Sequence, residues 1–323
     1  MVVAPSFPVL QDCDVFAIPG AWSAMTQTLL TMRRPGIGDA ARPAIDCALW
    51  VLKARILDVA LVTLLDRKHA ALPTYGSDGL TSYPRDPRVD ARRHWARRVL
   101  PVLKMKRGRV PEPDVARMAA VRDAIGLATA LFVDADGAYG RKPVPDGVMA
   151  FVKPRRSGPE EPVSSEDLAG LRLVSDRAPP GPDVRAGEYA YDLFAARRLT
   201  GPMPRNVLQA DVTRGDDVSG FLRRDALCQA HCVPFSSHTP PAIHWPICVA
   251  GPRIRHGQYF PDSTLIESVI FDQSLPPDAD LLVSDLLRSG PGWEVKETRE
   301  PMSFPDHLPE TTRVHRPRLS AET

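Results

Sequence analysis

Six polar residues recur along the chain at near-even intervals: Lys106, Asp134, Glu160, Glu188, Asp211 and His238, separated by 28, 26, 28, 23 and 27 residues. Five of the six directly follow or end a short apolar run, as in LFVDAD and VLQADVTR. Their chemistry is coherent. The carboxylates Asp134, Glu160 and Glu188 make an all-oxygen donor set suited to a hard cation such as Mg²⁺. A cation bound by two oxygens of a substrate carboxylate stabilises the charge that develops when the neighbouring carbon loses a proton. That proton is weakly acidic, so a base must stand at the carbon. Lys106 suits this task if burial and nearby cations, Lys104 among them, lower its pKa. His238 suits it on the opposite side, with Asp211 placed to fix one imidazole tautomer and raise its basicity.

The interval is that of a repeated strand-plus-helix unit carrying one working residue at the C-terminal tip of each strand. In a (β/α)₈ barrel all such tips face one mouth, so residues distant in sequence converge. The apolar periodicity predicts a helix over 43–66 and a weaker one around AWSAMTQTLLTM. From Arg88 onward helices are predicted at 88–98, 112–125, 165–177, 218–230 and 243–250, and strands at 99–106, 130–135, 184–188, 206–211, 232–237 and 256–260. This alternation implies an α/β fold with a parallel sheet closed into a barrel. GSDGLTSYPRDP (76–87) reads as a polar, turn-rich loop or linker. One unit breaks the pattern. Between Tyr139 and Glu160 stand prolines at 143, 145, 154 and 159, with Arg155, Arg156, Ser157 and Gly158 before the last of them, which is no reading for a buried parallel strand.

Each motif has a plainer reading when taken alone. KMK is an ordinary surface strand end, VDAD an ordinary helix cap, EEP an acidic turn, and His238 a hydrogen-bonded loop histidine. Only the joint spacing selects the catalytic reading.

The bulk numbers exclude some classes. The 323 residues carry 41 basic and 39 acidic side chains, a net charge of +2, which offers no electrostatic footprint for nucleic acid or an anionic membrane. The five cysteines (Cys13, Cys47, Cys228, Cys232 and Cys248) form no CxxC pair and read as buried free thiols of a reducing compartment. MVVAPSFPVLQDCD has no signal-peptide pattern, and ALFV is far too short to span a bilayer, so a soluble, cytoplasmic protein is expected. The segment beyond 297 is polar and proline-rich and is expected to be poorly ordered.

The chain resembles the enolase superfamily, and within it the mandelate racemase/muconate-lactonizing branch. The stretches that carry the resemblance include VLKMKRGR, LFVDADGAYGRK, EEPVSSEDLAGLRLV, AGEYAYD, VLQADVTR and GFLRRDALCQAHCVPFSSHTPPAIH, in matching order from about residue 14 to 296. The resemblance implies Lys106 as a general base, Lys104 as a contact to the substrate carboxylate, Asp134, Glu160 and Glu188 as Mg²⁺ ligands, and Asp211–His238 as a catalytic dyad. It implies a small carboxylate substrate, a sugar acid or 2-hydroxy acid, and sugar-acid dehydration ahead of racemisation or epimerisation. A homo-oligomer is also within that expectation.

Several positions depart from the family pattern. About 70 residues precede the barrel, which divides the chain into a remnant of an α+β capping region (1–75), a barrel domain (76–296) and a tail (297–323). Asp216-Asp217 replaces a glycine pair, Gln258 stands at a substrate-binding position usually held by Glu, and Val51 replaces Asp. These losses keep two other readings open: a catalytically impaired paralogue, and an acid-binding protein.

Overall fold

The protein is described from a computed structural model over residues 7–29, 37–78, 100–107, 114–140, 158–178, 183–201, 207–273, 281–283 and 286–297. Eight parallel strands close into a barrel: β1 (Ala71–Asp78), β2 (Val102–Lys106), β3 (Ala130–Asp134), β4 (Pro159–Glu160), β5 (Arg185–Ala186), β6 (Val207–Ala210), β7 (Phe235–Ser237) and β8 (Ile254–Tyr259). Each pairs with the next, and β8 returns to β1 with Tyr75 opposite Gln258. A further strand, β9 (Leu281–Val283), lies antiparallel to the start of β1.

Helices α1 (Phe7–Leu10), α2 (Ile18–Leu29), α3 (Ile37–Ile56) and α4 (Leu61–Leu64) precede the barrel. The described helices within it are α5 (Asp114–Ile125), α6 (Leu168–Arg177), α7 (Leu193–Thr200), α8 (Asp217–Ala230), α9 (Pro241–Cys248) and α10 (Pro261–Ile270). Local capping starts two of them: Asp167 accepts the Gly170 N–H at α6, and Asp192 accepts the Ala195 N–H at α7.

The two-residue period of a strand sorts the side chains. Leu103, Met105, Leu131, Val133, Leu208 and Phe235 join the apolar core that packs against the helices. The alternate residues, Lys104, Lys106, Phe132, Asp134 and Gln209, are thereby turned to the barrel interior. This is why K-x-K delivers two amines to one face.

Three readings of the sequence are corrected. The loop expected to begin at residue 76 is the end of β1, whose strand starts at Ala71 and therefore ahead of the boundary drawn there. Pro73 and GSD disguise a strand whose neighbours supply its pairing. The break before Glu160 does not abolish β4. It leaves a two-residue strand bonded on both sides: Val133 N–H donates to Gly158 C=O, Ala135 N–H to Glu160 C=O, and Glu161 N–H to Arg185 C=O. Pro159 has no N–H that needs a partner. Helices α7 and α10 were not anticipated at all. Of the cysteines, Cys228 and Cys248 are buried as expected, whereas Cys13 and Cys232 are exposed. The expected helix at 88–98, the proline-rich stretch at 141–157 and the tail beyond 297 lie outside the described residues. No helix among the described residues is long and apolar enough to cross a membrane.

Candidate active site

The C-terminal strand tips bring the six residues of the sequence pattern into one cluster. Asp134, Glu160 and Glu188 are buried and offer ligand oxygens that all lie within 4.8 Å of one another. That spacing puts all three carboxylates within reach of one oxygen-binding cation after side-chain adjustment. Glu160 Oε2 is buried without a hydrogen-bond partner, an orphan acceptor of the kind a cation satisfies.

Two amines enter from β2. Lys104 Nζ sits between two of the carboxylates, 3.0 Å from Asp134 Oδ2 and 2.5 Å from Glu160 Oε1. Lys106 Nζ is 3.3 Å from Asp134 Oδ2 and 2.5 Å from Asp136 Oδ1. Burial pulls both ammonium groups down, but the surrounding carboxylates outweigh it and hold both above the ordinary lysine value. The lowered pKa expected for Lys106 is therefore absent in this charge state. Burial and Lys104 lower it, and Asp134, Glu188 and Asp136 raise it beyond both. Burial alone would push Asp134 up, yet Lys104 and Lys106 hold it below the usual carboxylate range. Glu160 goes the other way: burial pushes it up, and Asp134 and Glu188 add to that against Lys104.

The imidazole enters from β7. His238 Nδ1 lies 2.9 Å from Asp211 Oδ2, and Nε2 lies 2.8 Å from Glu188 Oε2. Both contacts are satisfied together only when both ring nitrogens carry protons, which agrees with the direction of its shift. Burial lowers His238, but Glu188 and Asp211 together raise it above the ordinary value. Asp211 is itself fixed, since Oδ1 accepts the Thr213 N–H at 2.8 Å and the Thr213 hydroxyl at 2.6 Å. His238 is thus in hydrogen-bond contact with Asp211 and borders the cluster at Glu188, whereas Lys106 borders it at Asp134.

Gln258 is placed differently from the rest. Its Oε1 accepts the Tyr75 hydroxyl at 3.2 Å and the Thr239 N–H at 3.4 Å, so its carbonyl is engaged within the protein. The Asp-Asp pair after β6 takes the backbone shape that glycine would favour, with Asp217 at φ 51°. Its carboxylate compensates by accepting the Gly220 N–H at 2.6 Å, the Trp22 indole N–H at 3.0 Å and Arg42 Nε at 2.5 Å. Arg42 also donates to Gly215 C=O at 2.7 Å, so the helices before the barrel grip the loop that carries Asp211. Val51 lines an apolar cavity of about 570 Å³ between α3 and the backs of Val212 and Thr213.

Sequence reasoning missed three contributors. Arg214 places Nη1 3.5 Å from Glu188 and Nε 3.5 Å from Asp211. Its signal was its position three residues after Asp211. Asp136, the partner of Lys106, was visible as the second acid of VDAD. His244 accepts the Val212 N–H at 2.9 Å and donates from Nδ1 to Pro240 C=O at 2.8 Å, a backbone brace beside the dyad that no spacing announces.

Residues 87–299 match the family described as enolase C-terminal domain-like. A solved mandelate racemase/muconate lactonizing enzyme-like protein from Rubrobacter xylanophilus superposes with a TM-score of 0.84 at 43% identity, covering 88% of this chain and 79% of that one. Hydrophobic dipeptide epimerase of Enterococcus faecalis is 27% identical over 195 residues, 59% of this chain and 52% of the epimerase. Arabinonate dehydratase of Saccharolobus solfataricus is 23% identical over 243 residues, 72% of this chain and 62% of the dehydratase. The chain thus spans between half and two thirds of the length of these two relatives. Strand order, matched segment and solved relative agree: the chain belongs to the enolase superfamily, in its mandelate racemase-like branch.

Proposed function

We propose that this protein is a Mg²⁺-dependent enzyme that removes the proton α to the carboxylate of a sugar acid and expels the β-hydroxyl, a hydro-lyase. The observation that carries the reading is the buried Asp134–Glu160–Glu188 cluster, flanked by an amine on one side and a His–Asp pair on the other. The donor set fits Mg²⁺, being all oxygen and multiply anionic. When bound, Mg²⁺ supplies positive charge against the charge that develops on the substrate carboxylate.

The chain's own residues do the rest. Lys104, with its ammonium among the ligands, pairs with the substrate carboxylate. Lys106 takes the α-proton on one face as its free amine. Of the carboxylates that now hold its proton, Asp134 and Glu188 are ones a bound cation would neutralise, while Asp136 lies outside the ligand set. His238 serves the opposite face, where its Nε2 proton is available to the departing hydroxyl. Asp211 fixes the ring by its bond to Nδ1. A dehydratase among the relatives supports this chemistry for a sugar acid.

A second reading is racemisation or epimerisation of a 2-hydroxy acid. It is favoured by the placement of two proton-carrying groups on opposite sides of the cluster, and an epimerase stands among the relatives. Incubation of sugar acids and 2-hydroxy acids with the protein and Mg²⁺ in D₂O, followed by proton NMR, tests both. Loss of the β-hydroxyl with deuterium entering at the β-carbon as the enol ketonises supports the dehydratase, and deuterium at the α-carbon with inversion supports the epimerase. Mg²⁺ binding without exchange in any acid overturns catalysis in favour of an acid-binding protein or impaired paralogue.

A further inference from the structure

Asp216, one of the two acids that replace the glycine pair, is buried and pairs through Oδ1 with Arg224 Nη2. Its Oδ2 accepts the Asp211 N–H at 3.1 Å. Arg224, on α8, is fully buried as well. Its Nη1 donates to Gln209 C=O at 3.0 Å and Gly187 C=O at 3.5 Å, and its Nη2 to Ala190 C=O at 2.5 Å. Gly187 and Ala190 are the ends of the turn that presents Glu188, closed by the Ala190 N–H donating back to Gly187 C=O at 3.0 Å. Gly187 has φ 127°, and a Cβ there would fall 2.6 Å from the Gln209 carbonyl oxygen. The turn is therefore pressed directly against β6, two residues before Asp211.

One guanidinium and one carboxylate thus fasten the backbone at Glu188 to the backbone at Asp211. A buried ion pair is a poor source of stability, because the desolvation of both charges offsets their attraction. An apolar pair of similar volume would serve stability as well. It could not supply the planar fork, whose fixed donor directions hold the bridged carbonyls in one geometry. Geometry is what a cation ligand and a dyad acid on different strands require. A misplacement of about 1 Å from a change remote from the chemistry costs roughly 100-fold in rate.

We propose that Arg224 and Asp216 are positioning residues that set Glu188 against Asp211, given the roles proposed above for those two. Two variants test this. Arg224→Lys keeps a charge beside Asp216 and loses the fork. Arg224→Met combined with Asp216→Leu removes both charges together, so neither is left buried alone. Calorimetric titration gives the Mg²⁺ affinity of each. The ring-nitrogen NMR shifts of His238, assigned by their loss in His238→Gln, report its bond to Asp211 with no metal present. Both variants should melt cooperatively, bind Mg²⁺ roughly 10- to 100-fold more weakly, and show displaced His238 shifts. Either readout unchanged in a cooperatively melting Arg224→Lys overturns the proposal and leaves the pair a purely structural one. Should the natural protein bind no Mg²⁺, the functional reading fails, and the His238 shifts alone decide the positioning: displaced in Arg224→Lys they support it, unchanged they overturn it. Should the double variant not fold, Arg224→Lys decides.

Discussion

Replacing Asp211 by Asn isolates the dyad's contribution. Thr213 donates twice to Oδ1, at 2.8 and 2.6 Å, so the amide oxygen must stay there and the NH₂ must turn to His238 Nδ1. Nδ1 then becomes the acceptor and Nε2 keeps the ring's proton: the ring loses the carboxylate that supports its charged form, and in the epimerase reading it is held in the wrong tautomer for a base at Nε2. The lost charge-assisted hydrogen bond is worth about 1.5–3 kcal/mol, or roughly 10- to 150-fold in rate at 1.36 kcal/mol per decade. Tautomer reversal adds to this, as the ~10⁴-fold effect of the same change in serine-protease triads indicates. In the epimerase reading the expected loss is therefore about 10³-fold in α-proton exchange on the face served by His238, and in the dehydratase reading a loss of that order falls on expulsion of the β-hydroxyl. Exchange on the Lys106 face should stay within a few fold, because Asp211 does not touch that amine. Face-resolved deuterium incorporation by NMR measures both. A loss below tenfold, or equal losses on both faces, refutes the assigned roles.

Three other outcomes follow from the same contacts. Arg42→Met leaves the buried Asp217 carboxyl only its Gly220 and Trp22 donors and should cost about 1–3 kcal/mol in urea unfolding, with the loop bearing Asp211 loosened. Gly158→Ala puts a Cβ 2.3 Å from the Asp183 carbonyl oxygen, a backbone clash expected to cost about 1–3 kcal/mol in the same assay. Burial raises the Glu267 carboxyl to about 7, against a partial offset from the Ala242 N–H. The native state then binds more protons than the unfolded one, so stability is full below about 4.5 and falls as pH rises through 7, by about 3 kcal/mol. Glu267→Gln should flatten that slope in pH-dependent melting.

The parts of the site legible in the sequence were those where an apolar run ends on a polar residue. Asp134 and Asp211 close runs whose alternate side chains pack against helices, so the strand and its working tip are written together. The expected dyad, ligand trio and K-x-K pair lie together for that reason. Glu160 was harder, because β4 draws its order from hydrogen bonds owned by β3 and β5 and from an arginine filling the space over Gly158. A two-residue strand has no period to read. β1 was hidden by Pro73 and by turn-forming GSD, and α10 by a polar first turn. Asp217 shows a local rule broken and then offset: a strained φ is held by Arg42 and Trp22, partners about 175 and 195 residues away that no local pattern discloses. The electrostatics were least legible. The sign of the Lys106 shift depends on how many carboxylates face it, and Asp136 entered that count only once the fold was known.

The central claim is that three buried carboxylates form a divalent-cation site, and thermal unfolding of the purified protein across a Mg²⁺ titration tests it most directly. A ligand that binds only the folded state at a hundredfold excess over Kd adds about 2.7 kcal/mol, a rise of roughly 5 °C for a chain of this size. The rise should saturate, and it should vanish in Glu188→Gln while that variant still melts cooperatively. A melting temperature indifferent to Mg²⁺, or a shift that Glu188→Gln keeps in full, contradicts the account.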